Sequence, residues 1–287
     1  MQNLNELSVD TGFRGLFVAK TKEGKTCAAA SFPPPVHILD FDDRIKGLLG
    51  APWLAPKIKQ GEITFTYIPP RNLLNPVSIF DLIVKELNSL IQLKQIKSPK
   101  FPNTLVVDSI TAGALGMLND AIPYTHGMVD PKNASKIIAP TKGKNIGGMA
   151  MPGPEDFGYE SNGVQQIMST IRGLGIPNII VTTHLTPLYQ KVNPNDPMSS
   201  SIQMGEKLAI RDKLASNIGI FFDHCFRFER RMVGNDERYF VRFRGDIACT
   251  SYNLPLGEFD ITGLDFYKFL HSKLPGSTVL SSLEKVD

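Results

Sequence analysis

The sequence predicts an α/β fold, a mostly parallel twisted sheet flanked by helices, and three observations predict it. First, short apolar runs at 15–19, 36–39, 104–107 and 178–181 alternate with helix-like stretches, the pattern of strand–helix units rather than of a sandwich. Second, each run ends in residues capable of chemistry: 19–26, then Asp40 and Asp42, then Asp108, then Thr183 and His184. Ligands of such sheets bind at the carboxyl ends of the strands, so these four ends mark one site. Third, the first of them, Ala19-Lys20-Thr21-Lys22-Glu23-Gly24-Lys25-Thr26, fits the phosphate-loop (Walker A) pattern, with alanine at its first position.

The elements follow in order. The strand 15–19 leads through 20–24 into a small-residue helix over 25–31, which Pro33-Pro34-Pro35 ends because proline lacks the N–H that a helix interior needs. A second strand, 36–39, ends at Asp40-Phe41-Asp42-Asp43, and 63–68 alternates as a further strand. Apolar residues at 79, 80, 82, 83, 84, 87, 90 and 91 predict a helix over 78–93. The run 104–108 is a buried strand with an acid at its end. Residues 123–160, rich in Pro, Gly and Lys, show little periodicity and are expected to be a long functional loop or a disordered stretch. A helix over 161–174 follows, with Ser161 or Asn162 as N-cap, and then the buried strand 178–184. Residues 185–207 are again loop-like. The alternating runs 224–231 and 237–244 flank Val233-Gly234-Asn235-Asp236 and predict a β-hairpin, before a last helix over 264–274. The organisation is thus an N-terminal segment 1–12, one domain 13–275 and a polar tail 276–287.

Bulk properties narrow the function classes. Of 287 residues, 42% are hydrophobic and 21% charged, which is ordinary for a globular domain. The net charge of +3, from 31 basic and 28 acidic residues, is too small to argue for nucleic acid by itself. Three cysteines without CxxC spacing, Cys27, Cys225 and Cys249, suggest no disulfide framework and suit a reducing cytoplasm. The first ten residues lack the apolar core of a signal peptide, and no apolar run approaches the roughly 18 residues of a membrane span.

The phosphate loop needs particular residue types. Its backbone N–H groups, from Ala19 through Cys27, turn inward to hold phosphate oxygens, and Gly24 lets the backbone approach closely. Lys25 reaches the β- and γ-phosphates, and Thr26 offers a hydroxyl to Mg²⁺. Asp108 is placed to hold the same ion through water, or else to cap the helix starting at Ile110. Attack of water on a γ-phosphate needs a base or a water-positioning group, for which Asp42 is the candidate; a surface acidic turn is the alternative. His184 is placed to hydrogen-bond the γ-phosphate, or else is structural.

The segments GLFVA–KTKE–GKT, HILDFD, TLVVDSIT, IPNIIVTTH and the hairpin around FRFERR and YFVRFRGD occur in an order that resembles the RecA-like P-loop ATPase core. The resemblance spans residues 13 to 250 and is closest to the short, phage-encoded RecA-like ATPases of the nucleotide-binding or single-strand annealing type. It implies ATP and Mg²⁺ as cofactors, Asp42 as the water-activating acid, and His184 as the γ-phosphate sensor. The family often has glutamate at the position of Asp42, so rapid hydrolysis is not implied. Basic residues near the hairpin, here Arg242 and Arg244, would reach a neighbour's nucleotide, which implies a homo-oligomer with nucleotide near the subunit interface. Only about a dozen residues precede the first strand, where many filament-forming recombinases carry a docking extension, so long filaments are not expected. Two DNA-binding loops are implied at 123–160 and 185–207. In the first, Lys132, Lys136, Lys142 and Lys144 are the candidates for contacts to single-stranded DNA, because mobile lysines neutralise phosphates without reading bases. The function expected is an ATPase acting on single-stranded DNA in phage recombination or replication. The alternative is a nucleotide-gated scaffold that hydrolyses ATP poorly.

Overall fold

The computed structural model describes residues 12–71, 77–130, 133–146, 149–192, 200–243, 254 and 257–273. In chain order the elements are β1 (Phe13–Ala19), α1 (Lys25–Ala30), β2 (Val36–Asp40), α2 (Ala55–Lys59), β3 (Ile63–Tyr67), α3 (Ile79–Gln95), β4 (Thr104–Asp108) and α4 (Ile110–Thr125). Two small hairpins follow, β5 (Val129–Asp130) with β6 (Asn133–Ile137) and β7 (Asn145–Ile146) with β8 (Met149–Ala150). The rest is α5 (Pro154–Gly173), β9 (Asn178–Lys191), β10 (Ser201–Leu208), α6 (Asp212–Ile218), β11 (His224–Val233), β12 (Asp236–Arg242), β13 (Glu258–Asp260) and α7 (Phe266–Lys273).

The main sheet runs β13-β12-β11-β1-β9-β4-β2-β3, with β10 added to the far part of β9. From β3 through β11 all neighbours are parallel, and the β11–β12–β13 edge is antiparallel. This is the expected α/β class, a mostly parallel sheet flanked by helices, with a C-terminal antiparallel hairpin. The apolar runs look continuous in sequence because both faces of the sheet are covered. Leu16, Val18, Leu39, Leu105, Val107, Ile179 and Val181 enter one core with α3, α4 and α5. The alternate residues Phe17, Ala19, Val36, Ile38, Val106 and Ile180 enter the other, with α1, α7 and the ring cluster of Phe32, Phe226, Phe228 and Phe266.

Register places the site. β9 lies between β1 and β4, and its His184 pairs with Ala19, while Asp40 pairs with Asp108 across β2 and β4. The four chemically marked strand ends therefore lie along one edge of the sheet.

Two expected loops are structured. Within 123–160, α4 carries Pro123 and runs on to Thr125, two short hairpins follow, and α5 begins at Pro154, seven residues before the expected start. Ser161 and Asn162 are interior to α5 rather than caps. This excursion is pinned by Asp156, whose carboxylate accepts from Gly153 N–H at 2.7 Å, from Thr125 Oγ1, and lies 3.1 Å from His126 Nε2. Likewise, 185–207 is an antiparallel arm, in which β9 continues to Lys191 and pairs with β10 through a bulge between Gln203 and Gly205. Its outer part exposes Leu188, Tyr189, Ile202 and Met204, so no one-sided apolar face marked it as strand. The hairpin of β11 and β12 forms as expected, turning at Gly234-Asn235, with Gly234 at φ 64°. No helix among the described residues is long and apolar enough to cross a membrane.

Asp156→Ala removes the partner of the buried His126 Nε2 and of the Gly153 N–H and is expected to lower unfolding free energy by about 1–3 kcal/mol. Chemical denaturation measures this, and limited proteolysis is expected to cut first between 127 and 152. Burial pushes the Asp156 carboxyl up, but its hydrogen bonds from Gly153, Thr125 and His126 outweigh burial and hold it below the ordinary range. Its contribution is therefore present above the ordinary carboxylate pKa and is lost as pH falls through the lower folded-state value. The deficit of the alanine variant should shrink in acid; an equal deficit at all pH values would show that the carboxylate is not the anchor.

Candidate phosphate-binding site

The phosphate loop leaves β1 at Ala19 and enters α1 at Lys25. Gly24 sits at φ 86°, a conformation that favours glycine, and a Cβ there would meet the Tyr239 ring at 3.2 Å, so the ring would have to give. Glu23 accepts the Lys20 N–H at 2.6 Å. Lys25 is only 5% exposed, and its Nζ donates to the carbonyls of Lys20 at 2.8 Å and Ala19 at 3.2 Å. It also lies 3.4 Å from His184 Nδ1. Burial pushes its pKa down to about 8, against the attraction of Asp108, Glu23 and Asp42. It therefore remains an ammonium at neutral pH, held by carbonyl dipoles inside the loop.

Asp108 ends β4 at 3% exposure. Its Oδ2 accepts from Thr26 Oγ1 at 2.7 Å, and its Oδ1 accepts from Thr182 Oγ1 on β9. Burial raises its pKa, while both hydroxyl bonds oppose the rise. The helix cap suggested as an alternative is supplied instead by Ser109, whose Oγ accepts from Ala112 N–H at 3.3 Å. A threonine oxygen and a carboxylate oxygen converging on one point suit Mg²⁺, which keeps several waters and takes only one or two protein oxygens. Thr26 and Asp108 are thus the residues that would hold it.

The two acids after β2 divide in role. Asp40 is fully buried, and its carboxylate accepts the backbone N–H groups of Asp42, Arg44 and Ile45 at 3.1, 3.4 and 3.3 Å. It shapes the turn and is not available for chemistry. Asp42 is partly exposed on the cleft, with its Oδ2 2.9 Å from His184 Nε2. Burial raises the Asp42 carboxyl, but the His184 contact, Ser109 and Arg44 outweigh it and hold the group below its usual range. His184 is itself positioned by its backbone N–H, which donates to Thr111 Oγ1 at 3.0 Å. Lys25, His184 and Asp42 form a continuous chain of contacts.

These groups open onto a cleft of ≈ 690 Å³. It is lined by 21–28, Asp42, Arg44, Trp53, Asp108, His184, Tyr239, Ile261 and Phe266 among others. Cys27 is one of the lining residues, and burial pushes its thiol up to about 11. Arg44, Trp53 and Tyr239 were not singled out from sequence. Arg44 could have been, two residues after Asp42 at the same strand end; the aromatics could not, because only the tertiary fold brings them to the loop.

The remaining expected site residues lie elsewhere. Arg242 is not in the cleft, and its Nε donates to Glu258 Oε2 at 2.7 Å. Arg244 and Lys132 fall outside the described residues. Lys136 is on β6, and Lys142 and Lys144 are exposed between β6 and β7, away from the cleft.

No protein-family model matches the chain, and no curated protein matches it. Among solved structures, a KaiC-like protein of the hyperthermophilic archaeon Pyrococcus horikoshii aligns over 88% of this chain and 85% of its own, at 12% identity and a TM-score of 0.43. The flagellar accessory protein FlaH of Methanocaldococcus jannaschii aligns over 81% and 78%, at 11% identity and a TM-score of 0.38. Both are distant likenesses, and the character of the site rests on its own geometry.

Proposed function

We propose that this chain binds ATP with Mg²⁺ at the Ala19–Cys27 loop in the manner of RecA-like ATPases and hydrolyses it slowly. The observation that carries this is the convergence of Lys25, Thr26, Asp42, Asp108 and His184, from four separate segments, on one cleft. Phosphate oxygens replace the Ala19 and Lys20 carbonyls as acceptors for the Lys25 ammonium. Bound Mg²⁺ supplies charge neutralisation at the phosphates. Asp42 orients and deprotonates the attacking water, and His184 donates to the terminal phosphate. The rings of Trp53 and Tyr239, which also line the cleft, offer apolar surface to the base.

Slow turnover follows from Asp42, which is shorter than glutamate and is already engaged by His184. Hydrolysis requires that contact to rearrange. This same pair favours the second reading, a nucleotide-gated scaffold, in which binding changes assembly and phosphate release is negligible. Single-stranded DNA remains the proposed partner. The exposed Lys142 and Lys144, and the projecting β9–β10 arm with Tyr189 and Lys191, support it as phosphate-neutralising and base-stacking surfaces.

Phosphate release and nucleotide binding, measured together, test the site. Lys25→Ala should abolish both. Gly24→Ala should keep the fold but weaken nucleotide binding at least about tenfold, since the left-handed turn and the Tyr239 contact must shift. Asp42→Asn should keep binding and slow turnover by about 10²-fold or more. Unchanged turnover in Lys25→Ala would refute the site. A single-stranded oligonucleotide should stimulate phosphate release and bind less tightly as salt rises; absence of salt-sensitive binding would remove the DNA role. A nucleotide-dependent mass change without phosphate release would select the scaffold reading.

A further inference from the structure

We infer that Arg44 is a phosphate-binding residue supplied by the same chain, a guanidinium that pairs with the terminal phosphate of a nucleotide held at the 19–27 loop. This rests on the nucleotide reading above and adds a component that the motif pattern does not contain.

Position comes first. Arg44 lines the same cleft as Lys25, Thr26, Asp42 and His184. Its backbone is set by Asp40, the buried carboxylate that also accepts the N–H groups of Asp42 and Ile45. One anchor therefore fixes the stem of the arginine and the stem of the water-activating acid. The positive charge of Arg44 is felt at both Lys25 and Asp42, lowering the pKa of each.

The second argument is charge. Among the described residues no carboxylate stands within ion-pair distance of Arg44, although Asp42 and Asp43 are its near neighbours in sequence. Asp42 is taken by His184, and Asp108 by Thr26 and Thr182. The arginines of the β11–β12 hairpin are in the opposite condition. Arg227 pairs with Glu206, Arg230 with Glu237, Arg231 with Glu229 and Glu258, Arg238 with Asp260, and Arg242 with Glu258. Three cations, Lys22, Lys25 and Arg44, thus line one cleft whose acids are otherwise engaged. A polyanion is the ligand that resolves this, and the planar fork of arginine suits a phosphoryl group better than a point charge does.

The third argument is which phosphate. Lys25 reaches the β- and γ-phosphates from the loop. Arg44 lines the cleft together with Asp42, the group that would face the attacked phosphoryl, and its charge acts on that acid. Its pairing therefore belongs to the terminal phosphate, which a diphosphate lacks. With this charge supplied in cis, turnover does not wait for an arginine from a second copy.

The experiment compares the full chain with its Arg44→Ala and Arg44→Lys variants, titrated with a non-hydrolysable ATP analogue and with ADP, both with Mg²⁺. Arg44→Ala should weaken the ATP analogue by about tenfold or more while leaving ADP within about twofold, and Arg44→Lys should recover part of the loss. Specific activity of the unaltered chain should stay constant on dilution. Equal losses for both nucleotides, no loss for either, or activity that collapses on dilution would overturn the inference. Lys25→Ala separates this from failure of the parent reading. If that variant binds the analogue as well as the unaltered chain does, the nucleotide site itself is refuted; if it does not, and Arg44→Ala binds normally, only the role of Arg44 falls.

Discussion

A buried carboxylate between two hydroxyls holds this structure's active edge together. Asp108 has almost no contact with solvent, and a charge so placed is costly unless hydrogen-bonded. Its two oxygens are satisfied from opposite directions, by Thr26 at the start of α1 and by Thr182 on β9. That is possible only because β9 is inserted between β1 and β4. The strand order, the phosphate loop and the candidate metal ligands are thus one constraint, and shifting β1 or β9 alone would cost the carboxylate one of its two partners.

The same economy separates the acids at the end of β2. Asp40 and Asp42 are two residues apart and chemically identical, yet one is spent on three backbone N–H groups and the other reaches the cleft. Burial pushes both upward; Asp40 stays raised, whereas the His184 contact brings Asp42 below its ordinary range. A carboxylate held below its ordinary range is a weak base, which suits positioning a water better than rapid proton abstraction. Lys25 shows the complementary solution, an ammonium stripped of water and held by carbonyls that the proposed phosphate oxygens would replace.

The parts of this arrangement visible in sequence were those written in local pattern. Apolar runs with both faces buried, the glycine and lysine of the loop, and acids at strand ends all appear as short contiguous signals. The assignment of Asp42 over Asp40 rested on the spacing implied by the resemblance, and the hydrogen bonds of Asp40 supply the physical reason. What escaped was tertiary or two-sided. The β9–β10 arm has polar and apolar residues on both faces and a bulge, so it lacks the period-two signal that a half-buried strand carries. The 123–160 excursion is held by Asp156, His126 and Thr125, three polar residues that no hydrophobic pattern reveals. Tyr239 reaches Gly24 only through the pairing of β11 with β1, far away in sequence.

The arm is nevertheless not an independent appendage. Glu206 on β10 pairs at 2.6 Å with Lys20 of the phosphate loop and at 2.5 Å with Arg227 on β11. Lys20 is half exposed and its bond is weak by itself, but Glu206 is nearly buried and serves both cations at once. Displacing the arm removes the Glu206 contact of Arg227, and drawing Lys20 toward an anion would leave Glu206 with one of these two cations. Whatever free energy links these two movements must act equally in both directions, since linkage between binding sites is reciprocal. The acid at position 206 thereby makes the arm and the phosphate loop parts of one electrostatic unit, although 180-odd residues of chain lie between Lys20 and Glu206.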